Sequence, residues 1–293
     1  MNADSGGGAG RPGDAASLAA RWCGRLGLGE PSGVHRLTDG SSGSLVLALR
    51  DGGNQLVIKV TTDPERLRRA ALEAQLLSSG EISDVAPELV ASAQGTGWVA
   101  VATRRGRPLA PATQLTRETW LSLATSLAAL HRRAPEGDLL QRQPVPVAAS
   151  AHGAWKAMGA EDAADRGIRR LADAPTSALP VVLVHGDSHV GNIIHDHDGA
   201  PLWIDWQEAH LGDGLADLVF LWQRGEFAGA RPPRVEMTAR YAQQRSIHPD
   251  QLQERLDLAE LRLLLHSWPP FLEHGSPMAR ETMRRRLVAL SSR

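Results

Sequence analysis

The stretch Val181–Asp217 reads VVLVHGDSHVGNIIHDHDGAPLWIDWQEAHLGDGLAD and decides the fold of this 293-residue chain. It opens with a short apolar run, Val181–Val184, which is typical of a buried strand. Gly186 follows where the backbone must turn sharply, so we expect Asp187 to project from the end of that strand. The sequence therefore predicts a polar side chain at an open strand end, where functional sites are usually built.

Two more oxygen-bearing side chains flank a predicted hairpin farther along this stretch. Asn192 precedes the apolar pair Ile193–Ile194, and Asp205 follows the second apolar segment after the turn. Because a hairpin returns its chain to its starting point, we expect Asn192 and Asp205 to lie side by side next to Asp187. Oxygen ligands of this kind suit Mg²⁺, which fills its shell with water and phosphate oxygens. The segment therefore predicts a phosphoryl-transfer site.

The spacing is also that of the protein-kinase catalytic loop, in which an Asp is followed by a metal-binding Asn and later by a second metal-binding Asp. The forms here, H-G-D-x-H-x-x-N at 185–192 and I-D-W at 204–206, closely resemble the aminoglycoside phosphotransferase and choline kinase family, particularly its antibiotic kinases. The resemblance implies that Asp187 is the catalytic base or hydroxyl-orienting carboxylate. It also implies that Asn192 and Asp205 hold Mg²⁺, and that Asp217 is structural.

The same resemblance implies an α+β, bilobal, protein-kinase-like fold. An N-terminal antiparallel sheet with one main helix is expected to precede a larger, mostly helical C-terminal lobe that carries the catalytic hairpin. We predict a disordered tail at 1–14, a nucleotide-binding lobe at 15–103, an inter-lobe linker at 104–110 and a catalytic and substrate-binding lobe at 111–293.

Individual elements follow from apolar periodicity and from turn residues. In the N-terminal half we predict a helix over 15–26, strands over 34–37, 45–50, 55–60, 86–93 and 98–102, and a helix that Asp63 caps and Gly80 ends. In the C-terminal half we predict helices over 116–133, 154–171, 251–266 and 278–290, with a loop at 141–146.

A lysine and a glutamate in the N-terminal half complete the expected nucleotide site. Lys59 ends the run Leu56–Ile58, which resembles the V-A-I-K strand whose lysine pairs with nucleotide phosphates. Glu73, on the following helix, is placed to hold that lysine in an ion pair. A surface lysine and a solvated helix glutamate are the plainer alternatives.

Backbone groups are expected to contribute to the same nucleotide site. A Gly/Ser-rich turn is either a phosphate-binding loop or an ordinary hairpin turn; its members are Ser41, Ser42, Gly43 and Ser44. The family resemblance puts the adenine edge against the backbone from Ala102 to Arg104.

Histidines near the motif raise a second possibility, because imidazole is a common zinc ligand. We instead expect His185 to brace the catalytic loop, and His189 either to do the same or to approach the phosphates, since His195 and His197 lie at the far turn of the hairpin. Ser188 lacks the G-x-S-x-G surroundings of a hydrolase nucleophile.

The bulk properties exclude several other functions. A formal net charge of -1 gives no electrostatic case for a nucleic-acid partner. No apolar run approaches the roughly 20 residues that a membrane span needs, and the first residues lack the pattern of a secretory signal. A single cysteine, Cys23, allows no intrachain disulfide and favours the cytoplasm. No obligate protein partner is evident.

The acceptor is predicted from charge. The segment from Leu218 to Arg293 holds eight acidic residues and twelve arginines, which argues against a strongly cationic substrate. We therefore expect ATP or GTP to phosphorylate a macrolide, a nucleoside or another glycosylated compound, as antibiotic inactivation or self-resistance. An aminoglycoside, choline, homoserine or sugar kinase is the alternative. The residues expected to contact the acceptor are Glu208, His210, Trp222, His266, Trp268, Phe271 and Glu273.

Overall fold

A computed structural model of the protein describes residues 12–37, 43–133, 140, 149–174, 179–248 and 252–292. The chain divides into two compact units: unit 1 extends to Arg107 and takes in Asp196–Asp198, and unit 2 holds Pro108–His195 and Gly199–Arg293. The predicted loop at 141–146 and most of the predicted tail, residues 1–11, lie outside the described residues.

Unit 1 is a five-stranded antiparallel sheet with strand order β1-β2-β3-β5-β4 and two helices. Its apolar core joins Trp22 of the first helix to side chains of the sheet, such as Leu47 and Ile58. The elements are α1 (Pro12–Leu26), β1 (Ser32–Leu37), β2 (Leu45–Asp51), β3 (Asn54–Thr61), α2 (Leu67–Ser79), β4 (Leu89–Gly95) and β5 (Trp98–Arg104).

Two helix starts in unit 1 differ from the sequence prediction. Helix α1 begins at Pro12, inside the segment predicted as a disordered tail. Helix α2 begins at Leu67 rather than directly after Asp63, because Asp63 closes a separate turn: its side chain accepts the Glu65 N–H at 3.1 Å and its carbonyl accepts the Arg66 N–H at 3.0 Å. An aspartate that bonds the backbone two residues on forms an Asx-turn, which competes with a helix cap.

Unit 2 is mostly helical, with short strands around the H-G-D motif. Strand β7 pairs with β10, and β8 pairs with β9, both antiparallel. After β6 (Arg107–Pro108), the elements are α3 (Arg117–Leu130), α4 (Ala149–Ala157), α5 (Glu161–Asp173), β7 (Val182–Val184), β8 (Ile193–His195), β9 (Pro201–Trp203), β10 (His210–Gly212), α6 (Leu215–Phe227), α7 (Arg234–Arg245), α8 (Gln253–His266), α9 (Pro269–Leu272) and α10 (Pro277–Ser291).

The single helix predicted over 154–171 is two helices, α4 and α5. Gly159 between them has a φ of 64°, a left-handed conformation that ends a helix and that glycine adopts without steric cost. Among the described helices, none combines the length and the apolar character required to cross a membrane.

Candidate active site

The turn after β7 presents Asp187 as the sequence predicts. Gly186 has a φ of 83°, and a Cβ at this position would overlap the carbonyl oxygen of Glu208. Only glycine satisfies both the left-handed backbone and this close approach. The backbone therefore reverses at Gly186 and carries Asp187 out of the strand.

The β8–β9 hairpin places the other two oxygen-bearing residues at its open end. Ile193 pairs with Trp203, and the Ile204 N–H donates to the Asn192 carbonyl at 2.9 Å. Asp205 follows with φ 65° and ψ 62°, a left-handed conformation that few residues other than Gly, Asn and Asp adopt. Such backbone strain clusters at functional sites.

Asn192 and Asp187 are joined directly. The Asn192 Nδ2 atom donates to the carbonyl oxygen and to Oδ2 of Asp187, each at 2.9 Å. Both amide protons of Asn192 therefore have acceptors on one residue. Asn192 thus lies beside Asp187, and the convergence of the Asp205 side chain with this pair stays a prediction.

His185 connects the same loop to the hairpin. Burial lowers the pKa of His185, even though Asp217 and the other nearby carboxylates favour the protonated ring. The ring is therefore neutral at pH 7: Nδ1 accepts the Asp187 N–H at 3.3 Å, and Nε2 donates to the Ile204 carbonyl at 3.0 Å. One buried imidazole thus fixes both Asp187 and the residue that precedes Asp205.

His189 lies on the other side of Asp187. Its Nδ1 atom accepts the Gly191 N–H at 3.0 Å, so its Nε2 atom carries a proton and lies 3.6 Å from Oδ2 of Asp187. Burial by itself would raise the pKa of Asp187, but His189, His185 and Asn192 outweigh it, and the pKa lies below its usual value. Asp187 is therefore an ionised carboxylate at neutral pH, able to accept a hydrogen bond.

The turn at His185–Gly186 is also held by a buried hydrogen-bond network that the sequence analysis missed. Asp217, only 1% exposed, accepts the N–H groups of His185 at 2.7 Å and Gly186 at 2.9 Å. It also contacts His131 Nε2 at 3.1 Å, and His131 Nδ1 contacts the Tyr241 hydroxyl at 2.7 Å. Burial opposes ionisation of Asp217, but the hydrogen bond from His131 and the neighbouring histidines hold its pKa at about 2.

The local sequence offers little sign of this network. His131 stands 86 residues before Asp217 and at the end of an ordinary amphipathic helix, α3. Its only signal is a histidine directly after the apolar face of that helix. The structural role predicted for Asp217 is what these contacts provide.

In unit 1, Lys59 and Glu73 form the predicted ion pair. Lys59 Nζ lies 2.8 Å from Glu73 Oε2, and their side chains are 15% and 6% exposed. In the predicted phosphate-binding turn, Ser41 and Ser42 lie outside the described residues. Gly43 has a φ of 60°, and the Ser44 hydroxyl is 2.9 Å from that of Thr61.

The backbone that was expected to meet adenine is already engaged within the sheet of unit 1. Ala102 is fully buried between Ile58 of β3 and Ala91 of β4. The Arg104 N–H donates to the Glu88 carbonyl at 2.9 Å, and the two side chains form an ion pair at 3.3 Å. An adenine edge requires a backbone N–H that is free to donate, and the N–H of Arg104 already donates to Glu88.

The predicted acceptor contacts fall into buried and accessible groups. Trp222 and Trp268 are 3% and 1% exposed, so neither indole has a face on which a substrate ring could stack, and both are core residues. Large aromatic side chains commonly pack in protein cores. The sequence alone did not distinguish this role from stacking on a substrate ring. Phe271, in contrast, is 51% exposed.

Three of the polar candidates, Glu208, His210 and His266, are half-buried. His210 Nδ1 is 2.8 Å from the Glu208 carbonyl, which ties the two residues together after the I-D-W motif. Burial and the nearby Arg262 lower the pKa of His266, so this ring is neutral at pH 7. Glu273 is exposed.

Comparison with known proteins identifies the family of the chain. Residues 33–264 match the sequence model of a phosphotransferase enzyme family, which is more than half of the chain. No curated protein sequence matches the chain at a significant level.

Similar solved structures cover 94% of the chain. A spectinomycin phosphotransferase in complex with ADP and spectinomycin is 13% identical, with a TM-score of 0.67 over 97% of its own chain. A macrolide 2'-phosphotransferase from Brachybacterium faecium is 20% identical, with a TM-score of 0.60 over 98% of its chain. A choline kinase from Streptococcus pneumoniae is 15% identical, with a TM-score of 0.63 over 98% of its chain.

At these identities the likeness concerns the fold alone. The fold-class prediction is confirmed: an antiparallel N-terminal part and a helical C-terminal part, with protein-kinase-like solved structures as neighbours.

Proposed function

Because the chain belongs to the phosphotransferase enzyme family, we propose that it moves the γ-phosphoryl group of ATP or GTP to a hydroxyl of an antibiotic or similar natural product that is not strongly cationic. Membership of this family makes the chain a kinase-type enzyme with a hydroxyl acceptor. The acceptor, the site residues and the biological role are the parts that we propose.

The observation that carries the proposal is the hydrogen bond between Asn192 and Asp187 at the open end of the β8–β9 hairpin. It holds an ionised carboxylate at the end of a strand, beside a hairpin that also delivers Asp205. A hydroxyl placed against Asp187 donates a hydrogen bond to it, and its oxygen attacks the γ-phosphorus while the bond to the β-γ bridging oxygen breaks. The hydroxyl proton passes to Asp187 or to solvent, and no covalent enzyme intermediate is needed.

The donor set fits a hard cation. Both amide protons of Asn192 bond to Asp187, so Oδ1 is the atom that Asn192 would offer to a metal, and Asp205 would add a carboxylate oxygen. Mg²⁺ is usually held by one or two protein oxygen ligands of this kind. When bound, it supplies positive charge to the phosphate oxygens.

We assign nucleotide binding and acceptor binding to different lobes of the chain. We assign nucleotide binding to the N-terminal lobe, residues 15–103, and catalysis and acceptor binding to residues 111–293, with 104–110 as the linker. In the N-terminal lobe, the partly buried Lys59–Glu73 pair is suited to bind nucleotide phosphates, because Glu73 fixes the position of a charge that would otherwise be mobile.

Replacement of Lys59 by methionine is expected to lower kcat/KM for the nucleotide by about 100-fold, since a charge-assisted contact to phosphate is lost. Steady-state kinetics with varied nucleotide would measure it. Lys156, the only other lysine of the chain, is 67% exposed, and Lys156→Met is the matched control that leaves the kinetics unchanged. Equal kinetics for the Lys59→Met and wild-type enzymes would remove Lys59 from the nucleotide site.

The proposed role is antibiotic inactivation or self-resistance in the cytoplasm, where the lone Cys23 would stay reduced. A nucleotide-turnover screen tests the function. The acceptors are aminoglycosides, macrolides, nucleoside antibiotics, choline, homoserine and sugars, each with and without Mg²⁺.

We expect Mg²⁺-dependent turnover with a neutral or weakly charged antibiotic. Turnover only with a strongly cationic aminoglycoside would contradict the acceptor class. Turnover only with choline, homoserine or a sugar would contradict the antibiotic role and leave the kinase chemistry in place.

A further inference from the structure

A cavity of about 480 Å³ lies in unit 2 beside the catalytic loop. Residues 109–112, residues 189–191 of the loop, and residues 224, 225, 227 and 228 at the end of α6 form its walls. This volume falls within the range that small-molecule sites occupy. Because His189 lines the cavity and its Nε2 atom lies 3.6 Å from Asp187, a ligand in the cavity would lie close to the proposed hydroxyl-orienting carboxylate.

Among the described residues, Arg224 is the one permanent charge that lines this cavity, and no Asp or Glu lines it. Its guanidinium lies 5.9 Å from the centre of the Trp268 ring and forms no ion pair with a carboxylate of the described residues. The nearest acidic residue in the sequence, Glu226, is bound by Arg234. The charge of Arg224 is therefore available to a ligand.

Other arginines of the C-terminal region differ from Arg224 in this respect. Glu260 pairs with both Arg234 and Arg286, while Arg284 and Arg285 share Glu281. Each of these four arginines thus has a carboxylate partner. For the binding of an acceptor, the relevant positive charge is that of Arg224, which lines the cavity.

The rest of the cavity wall is largely apolar. Leu109, Pro111, Val190, Phe227 and Ala228 contribute to it. Apolar walls with one or two placed polar groups are typical of sites that fix the orientation of an organic ligand. A half-buried guanidinium in such surroundings attracts an anion strongly, and its planar fork matches a carboxylate best.

We propose that Arg224 binds an anionic group of the phosphoryl acceptor, most favourably a carboxylate, while the acceptor hydroxyl lies against Asp187. The acceptor is then an organic hydroxy acid with an apolar or ring-bearing body. This inference rests on the proposed function for the use of the cavity as the acceptor site, but the binding chemistry of Arg224 can be tested without any phosphoryl transfer.

The test uses three probes that share a hydroxymethyl-phenyl body and differ in charge: 4-(hydroxymethyl)benzoate, 4-(hydroxymethyl)benzamide and 4-(hydroxymethyl)benzylamine. Their affinities would be measured by ligand-observed NMR titration without nucleotide. We expect wild type to bind the carboxylate about tenfold more tightly than the amide, and the amine most weakly, as one charge-assisted hydrogen-bonded contact implies.

The Arg224→Met variant should bind the carboxylate about tenfold more weakly and the amide unchanged. Arg224→Lys, which keeps the charge but not the fork, should retain part of the preference. Arg231 is exposed and absent from the cavity wall, so Arg231→Met is the matched control and should behave as wild type.

Three results would overturn the inference: equal binding of carboxylate and amine, carboxylate binding that survives Arg224→Met, or no binding of any probe. A change in the thermal melting curve would identify a variant that fails to fold, and Arg224→Lys then carries the comparison. Turnover with some acceptor in the screen, combined with any of these three results, would refute the role of Arg224 and leave the kinase function standing. Carboxylate binding with no turnover of 4-(hydroxymethyl)benzoate or of any acceptor in the screen would support the role of Arg224 and contradict the kinase function.

Discussion

Asp187→Ala is expected to lower kcat by about 1,000-fold or more, the range that a positioned acid or base contributes. Asp187 is ionised, it accepts the Asn192 amide at 2.9 Å, and no other carboxylate of the described catalytic loop, residues 185–192, can take its place. Its loss removes the group that orients the acceptor hydroxyl, while nucleotide binding has no direct need of it. The KM for nucleotide should therefore change little, and initial-rate kinetics with both substrates varied would measure the two constants.

Two further variants separate chemistry from structure. Asp187→Asn keeps the size of the side chain and loses the charge, so it should be nearly as inactive as Asp187→Ala. Asp198→Asn makes the same chemical change at an exposed site on the hairpin turn and should match wild type. If Asp187→Asn kept wild-type kcat, the carboxylate would have no part in the reaction.

Asp217→Asn is expected to lower the free energy of unfolding by about 3 kcal/mol, the order of loss that follows when buried donors lose a charged hydrogen-bond acceptor. The wild-type carboxylate accepts the N–H groups of His185 and Gly186 and contacts His131. An asparagine amide offers one oxygen for three donors and turns its own N–H groups toward them. Urea unfolding would give the change in stability, and kcat should fall too, since the turn that carries Asp187 depends on these bonds.

The same residue makes stability depend on pH. The folded pKa of Asp217, about 2, lies below the ordinary value of 3.8. A depressed folded pKa means that the stabilisation is fully present above pH 3.8 and is lost as the pH falls through about 2. The stability gap between wild type and Asp217→Asn should therefore shrink in acid.

A buried carboxylate elsewhere provides the control for these effects. Asp257, on α8, is 5% exposed and accepts Gln253 at 3.0 Å. Asp257→Asn should reduce stability without reducing kcat at a temperature where the protein is folded. If Asp217→Asn lowered stability but left kcat intact, its link to the catalytic turn would be refuted.

The sequence was most informative where one residue type satisfies several constraints at once. Gly186 must reverse the backbone and admit the Glu208 carbonyl, and the hairpin register brings Asn192 to the residue before Asp205. The Lys59–Glu73 pair could likewise be predicted, because a strand and the next helix fix both partners within a short span. These are local constraints, and local patterns encode them.

What the sequence did not reveal depends on distant packing. The break at Gly159 and the late start of α2 are decided by turns that compete with a continued helix. Burial of Trp222 and Trp268 depends on helices from several parts of the chain. The contact of His131 with Asp217 and the place of Arg224 in the cavity wall also appear only when remote segments meet.

The most direct test of the central claim follows the phosphoryl group itself. Nucleotide labelled with ¹⁸O on the γ-phosphoryl would be supplied with Mg²⁺ and each acceptor of the screen, and the products would be identified by mass spectrometry for wild type and Asp187→Asn. The account predicts that wild type places the labelled phosphoryl on a hydroxyl of the acceptor and that Asp187→Asn does not. Label found only in free phosphate, or on the acceptor with both proteins alike, would contradict it.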